Sequence, residues 1–134
     1  MNAAVNAGTS AGTPAFSKVR RGGGLLFVSG EVAHRPEGTA PAGVFRQTEL
    51  ILEHLAATLA AEHHELSDIV QVTAYLSRSE DFAEFNRAYR QHFKPPYPAR
   101  TTVVAQALYP DACVEVAVIA ASPTACRAGS EASA

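Results

Sequence analysis

Apolar and polar residues alternate with two different periods along this chain, and the switches between periods outline its elements. Leu25-Leu26-Phe27-Val28-Ser29-Gly30 is an apolar run of strand length. Ahead of it, Ala15 to Val19 predicts a short strand, and Arg20-Arg21-Gly22-Gly23-Gly24 predicts a hairpin turn, because glycine accepts the positive φ of tight turns. Arg35 to Gly43, carrying Pro36, Gly38 and Pro41, reads as a loop. Val44, Ile51, Leu52, Leu55 and Leu59 then recur at helical spacing and predict an amphipathic helix from about 43 to 63.

The period returns to two at Val70, Val72, Ala74 and Leu76, which alternate with Gln71, Thr73 and Tyr75 as a strand does. Ser79 is the expected N-cap of a second helix, with Glu80 and Asp81 suited to its first turn. Phe82, Phe85, Tyr89 and Phe93 mark the apolar stripe of that helix, and Lys94-Pro95-Pro96 is its expected stop. Two further strands are predicted near 100–107 and 112–121, joined by a turn at Tyr109-Pro110-Asp111. The expected fold is α+β, a mixed sheet in the order β-β-α-β-α-β-β with both helices on one face. Residues 1–14 and 122–134, rich in Ala, Gly, Ser and Thr without periodicity, are expected to be loose tails around a single domain at 15–121.

Composition narrows the function classes. The 134 residues are 47% hydrophobic and 18% charged, with a formal net charge of −2, a balance that directs the chain neither to nucleic acid nor to an anionic membrane. Its longest apolar runs are strand-sized, too short to span a bilayer as a helix. Met1 to Asn6 has neither a basic nor an apolar segment, so a cytoplasmic protein is expected rather than a secreted one. Cys113 and Cys126 lack metal-ligand spacing and cannot form a disulfide framework. His63-His64 cannot both point to one side of a helix, and no Ser lies at triad spacing from a His. His54 and His92 read as surface or edge residues. The basic stripe Arg78, Arg87, Arg90 and Lys94 is diluted by Glu80, Asp81 and Glu84, as on a solvated face.

The chemistry concentrates in two charged residues. Glu115 stands alone in Cys113-Val114-Glu115-Val116-Ala117-Val118-Ile119-Ala120, where an unpaired carboxylate is costly to desolvate. Arg100, fifteen positions earlier, opens its own strand after Tyr97-Pro98-Ala99. A hairpin of the two strands would bring both charges to one cavity. On these residues alone the pair reads equally as a ligand-facing couple or as a structural ion pair.

Taken together, the motifs resemble the reactive intermediate deaminase family, RidA (YjgF). The resemblance runs from about Phe16 to Ala121 through Leu26-Phe27-Val28-Ser29-Gly30-Glu31, Gln47-Thr48, Asp68 to Leu76, Asp81 to Asn86, Tyr97 to Val103, and Val114-Glu115-Val116. It implies a chorismate-mutase-like fold and a homotrimer with pockets at the subunit interfaces. It also implies hydrolysis of 2-imino or enamine acids, such as 2-aminoacrylate and 2-iminopropionate, to a 2-keto acid and ammonia, with no metal or organic cofactor. On that resemblance Arg100 grips the substrate carboxylate, Glu115 handles the attacking water, and Ser29, Gly30 and Thr102 line the pocket, with Phe16 and Asn86 as further lining residues. Phe16 replaces a tyrosine usual near the start of the domain, and Thr102 replaces a cysteine common two residues after the arginine. Both changes bear on substrate range. The alternatives are a non-catalytic binder of small carboxylates using the same pocket and, against the acidic net charge, an RNA-cleaving translation inhibitor.

Overall fold

A computed structural model describes residues 13–106 and 109–121. The tail expectations therefore lie, apart from residues 13 and 14, outside the described residues. Five strands form one sheet: β1 (Val19–Gly22), β2 (Leu25–Glu31), β3 (Ile69–Leu76), β4 (Ala99–Val104) and β5 (Val114–Ala121), in the order β1-β2-β5-β3-β4. Helices α1 (Val44–Ala61) and α2 (Phe82–Arg90) connect them. The sheet is mixed, with β3 and β4 parallel and every other pair antiparallel, as the α+β reading predicts.

The last strand in sequence is the central one in space. β5 lies between β2 and β3 and bonds to both, so its alternation is enforced along both edges. Val114, Val116, Val118 and Ala120 are buried and point at the helices, together with Leu26 and Val28 of β2 and Val72, Ala74 and Leu76 of β3. Ile51, Leu52, Leu55 and Leu59 of α1 and Phe85 and Tyr89 of α2 complete this core. Both helices thus cover one face. The other face carries Phe27, Tyr75 and Val103, each 40–41% exposed in the single chain, alongside Thr73, Ala117 and Ile119.

Four local expectations are corrected. β1 begins at Val19 and continues through Arg20 and Arg21, because Gly23 and Gly24, at φ +60° and +78°, close the hairpin alone. Ser79 does not cap α2. It opens a short 3₁₀ turn, Ser79–Asp81, in which Asp81 accepts from Arg78 at 2.8 Å, and the helix starts at Phe82. The same helix ends at Arg90, ahead of Lys94, while Phe93 remains buried and stacks on Tyr89 with ring centroids 4.4 Å apart. Most consequential is the partner of β4. It pairs with β3 in parallel after the α2 crossover, and since β5 already has both edges occupied, no hairpin joins β4 to β5.

Gln47 ties the start of α1 to the approach to β5. Its buried amide donates to the carbonyls of Pro41 and Asp111, each at 2.8 Å, and accepts from the Cys113 N–H at 2.8 Å. Among the described residues no helix is long and apolar enough to cross a membrane. Replacing Gln47 with Ala strands buried backbone groups in two loops. It is expected to lower stability by roughly 2–4 kcal/mol, and chemical denaturation of the two proteins measures the difference.

Candidate functional site

Arg100 owes its direction to the β3–β4 register. It lies opposite Val72, a core-facing residue, so its side chain also points to the helix side of the sheet. There α2 presents a polar and an aromatic face together. The guanidinium donates to Asn86 Oδ1 at 2.8 Å and sits over the rings of Tyr89, Phe85 and Phe82 at 4.7, 5.1 and 5.8 Å from their centroids. These contacts hold the charge by hydrogen bonding and cation–π attraction while leaving donors of its fork available. Among the described residues no carboxylate pairs with it. It opens onto a cavity of about 240 Å³ lined by Asn86, Tyr89, Arg90, Tyr97, Pro98 and Arg100. Burial pushes the Tyr89 phenol up, against an opposing pull from Arg100.

Glu115 faces the opposite way. Its strand neighbours Val114 and Val116 are buried, and it lies across from the exposed Tyr75 on β3, so it projects from the uncovered face. The carboxylate rests over Gly30, where an added Cβ would meet its Oε2 and the glutamate side chain would have to swing aside. A second cavity, about 290 Å³, is lined by Gly30, Tyr75, Ser77, Cys113, Glu115 and Ala117 among others. Burial raises the Glu115 proton affinity above that of an ordinary glutamate, and the Glu31 charge raises it further.

A single chain therefore does not bring Arg100 and Glu115 to one cavity. The hairpin expectation is corrected, because the two residues lie on opposite faces of the sheet with β3 between their strands. The other candidate residues divide between the two halves. Asn86 joins Arg100, and Thr102, opposite Ala74, lies partly buried on the same side of β4. Gly30 joins Glu115. Ser29 is committed locally, its hydroxyl donating to the Ser17 carbonyl at 2.6 Å and its N–H to the Lys18 carbonyl at 2.9 Å. Phe16 is 45% exposed and lines neither cavity in the single chain.

Two features escaped sequence reasoning. The aromatic platform under Arg100 looked like core stripe, and only the register of β4 places a cation over it. Glu31 and His54 form the other. Glu31 is buried, with its Oε2 3.3 Å from His54 Nδ1 on α1, so His54 is not the plain surface residue its sequence context suggests. A lone acid at the end of an apolar strand was the available signal.

Chemically, the Arg100 half offers a planar cation for a carboxylate, and the Glu115 half offers a proton acceptor with raised affinity. Over residues 9–122 the chain matches the family model described as Endoribonuclease L-PSP. A RutC family protein of Pyrococcus horikoshii is 34% identical over 107 residues, 78% of this chain and 85% of that protein. TdcF of Escherichia coli K12, which carries the provisional description of a reactive intermediate deaminase, is 33% identical over 102 residues, 73% of this chain and 79% of that one. The crystal structure of RidA from an Antarctic Psychrobacter superposes with a TM-score of 0.75 at 28% identity, covering 83% of this chain and 91% of that one.

The raised proton affinity of Glu115 has a consequence for stability. A carboxylate whose folded value lies above its unfolded value opposes folding once pH rises past the unfolded value. Glu115→Gln is therefore expected to raise the melting temperature at neutral pH. The gain should vanish below the ordinary glutamate range, where the carboxyl is protonated in both states. Thermal melts of both proteins across pH test this, and an equal gain at all pH values would contradict it.

Proposed function

The chain belongs to the endoribonuclease L-PSP family, which takes in the RidA/YjgF proteins, and on that premise we propose that it is a cofactor-independent deaminase of 2-imino and enamine acids, releasing a 2-keto acid and ammonia. The observation that carries the reading is the division of labour between the two sheet faces. A carboxylate clamp and a proton handler, each built and open to a cavity, cannot meet within one chain. Their meeting requires a second copy, as an interfacial site in a homotrimer supplies. The uncovered sheet face with Phe27, Tyr75 and Val103 is the surface such an assembly would bury.

In this reading the Arg100 fork takes the substrate carboxylate through two parallel hydrogen bonds, with Asn86 fixing its orientation. The imine carbon is thereby held near a water beside the neighbouring copy's Glu115. Glu115 accepts a proton as the water oxygen bonds to carbon and the C=N π electrons move to nitrogen. Glu115 returns that proton to nitrogen, giving the carbinolamine; it then takes the hydroxyl proton and passes it to the amine, so that as C=O forms the C–N bond breaks and ammonia leaves with the 2-keto acid behind. Phe16 and Thr102 act as walls that set which side chains fit. RNA cleavage is a second reading, favoured by the family's description. The formal net charge of −2 opposes it, because phosphate contacts dominate RNA affinity.

The test is hydrolysis of 2-iminopropionate, generated from serine by a dehydratase and trapped with semicarbazide. Wild type should outpace the spontaneous reaction. Arg100→Lys should lose at least about tenfold in kcat/KM, since an ammonium does not reproduce the fork, and Glu115→Gln about a hundredfold or more. Co-assembled Arg100→Ala and Glu115→Gln subunits should recover roughly a quarter of wild-type activity, the share of heterologous interfaces that keep both residues. No acceleration by folded wild type would overturn the deaminase reading for this substrate. Carboxylate binding without turnover would then mark a binder, and RNA cleavage lost in Arg100→Ala would mark a nuclease.

A further inference from the structure

β2 contains one residue more than β5 opposite it. Val28 faces Val118 and Glu31 faces Val116, three steps on one strand against two on the other, so Ser29-Gly30 forms a bulge. The extra residue reverses the alternation beyond it. Without the bulge Glu31 would point to the uncovered face; with it, Glu31 turns to the helix side and is 1% exposed. There α1 places His54 Nδ1 3.3 Å from Glu31 Oε2. From the other side, the Glu115 carboxylate comes down onto Gly30, the residue next to Glu31. Two carboxylates thus flank one stretch of backbone, one backed by an imidazole.

We propose that Glu31 and His54 are a positioning pair for Glu115, the buried Glu31 charge standing behind the Gly30 backbone and holding Glu115 ready to take and return a proton. The inference rests on the reading of Glu115 as the proton handler. Burying an acid in an apolar core is destabilising unless a partner offsets it, and packing alone would be met by an apolar side chain. A negative charge near a carboxylate opposes ionisation, which moves a general base toward its working pH. The direction found at Glu115, raised first by burial and then by Glu31, agrees with the geometry. The other ionisable groups facing this cluster are Tyr75 from β3 and the Cys113 thiol ahead of β5, itself raised by burial. His54, with a side chain 31% exposed, connects the buried Glu31 carboxylate to the surface.

The experiment compares pH profiles of kcat/KM on 2-iminopropionate for wild type, Glu31→Gln and His54→Gln. It adds a direct titration of Glu115 by carboxyl ¹³C NMR, assigned through Glu115→Gln. Glu31→Gln keeps shape while removing charge, so the acid limb and the Glu115 titration should both move to lower pH, with KM unchanged. His54→Gln removes the imidazole beside Glu31, leaving its charge less offset, and both should move to higher pH. A purely structural pair would alter melting temperature and leave the limb and the titration in place, which would overturn the inference. If Glu31→Gln fails to fold, an unmoved or lowered limb in His54→Gln does the same. Should wild type lack imine hydrolysis, the NMR arm still decides: a Glu115 titration shifted by Glu31→Gln upholds the coupling while the deaminase reading falls.

Discussion

The two-sided pairing of β5 is the constraint on which the rest depends. A strand bonded along both edges cannot slip by one residue without moving its whole apolar set from the core to the open face. Val114, Val116, Val118 and Ala120 take the core, and Glu115, the odd position among them, is left on the uncovered side. Its direction is therefore a by-product of core formation, held by every valine in the strand.

The same register logic, carried across β3 to β4, sends Arg100 the other way. Because β4 runs parallel to β3 with Arg100 level with Val72, the arginine shares the helix side, where α2 supplies Asn86 and three aromatic rings. One sheet thus separates Arg100 and Glu115, the two candidate site residues, by its own thickness. Under the proposed reading, function is tied to assembly, since the apolar side chains left uncovered around Glu115 lie on the surface that a second copy would close.

The bulge at Ser29-Gly30 is the second device. It places Gly30 beneath the Glu115 carboxylate, and it inverts the following residue so that Glu31 enters the core beside His54. A single extra residue therefore serves both faces. The Ser29 hydroxyl donates to the Ser17 carbonyl, anchoring the chain that leads into β1.

The sequence by itself determined the element types and their order, because apolar periodicity is a local record of which face each segment buries. The alternation from Val70 to Leu76 and the helical spacing of Ile51, Leu52, Leu55 and Leu59 sufficed for that. It also singled out Glu115 and Arg100, as a lone acid in a buried strand and a cation at a strand opening stand out against their surroundings. Strand order was a matter for tertiary structure, since hydrogen bonding along a strand edge is blind to sequence distance and β5 could close on β4 or insert between β2 and β3. That choice put Arg100 and Glu115 on opposite faces instead of in one hairpin. Tertiary structure likewise decided that Glu31 turns inward to His54, because a bulge changes alternation only when the facing strand supplies the register against which the extra residue counts.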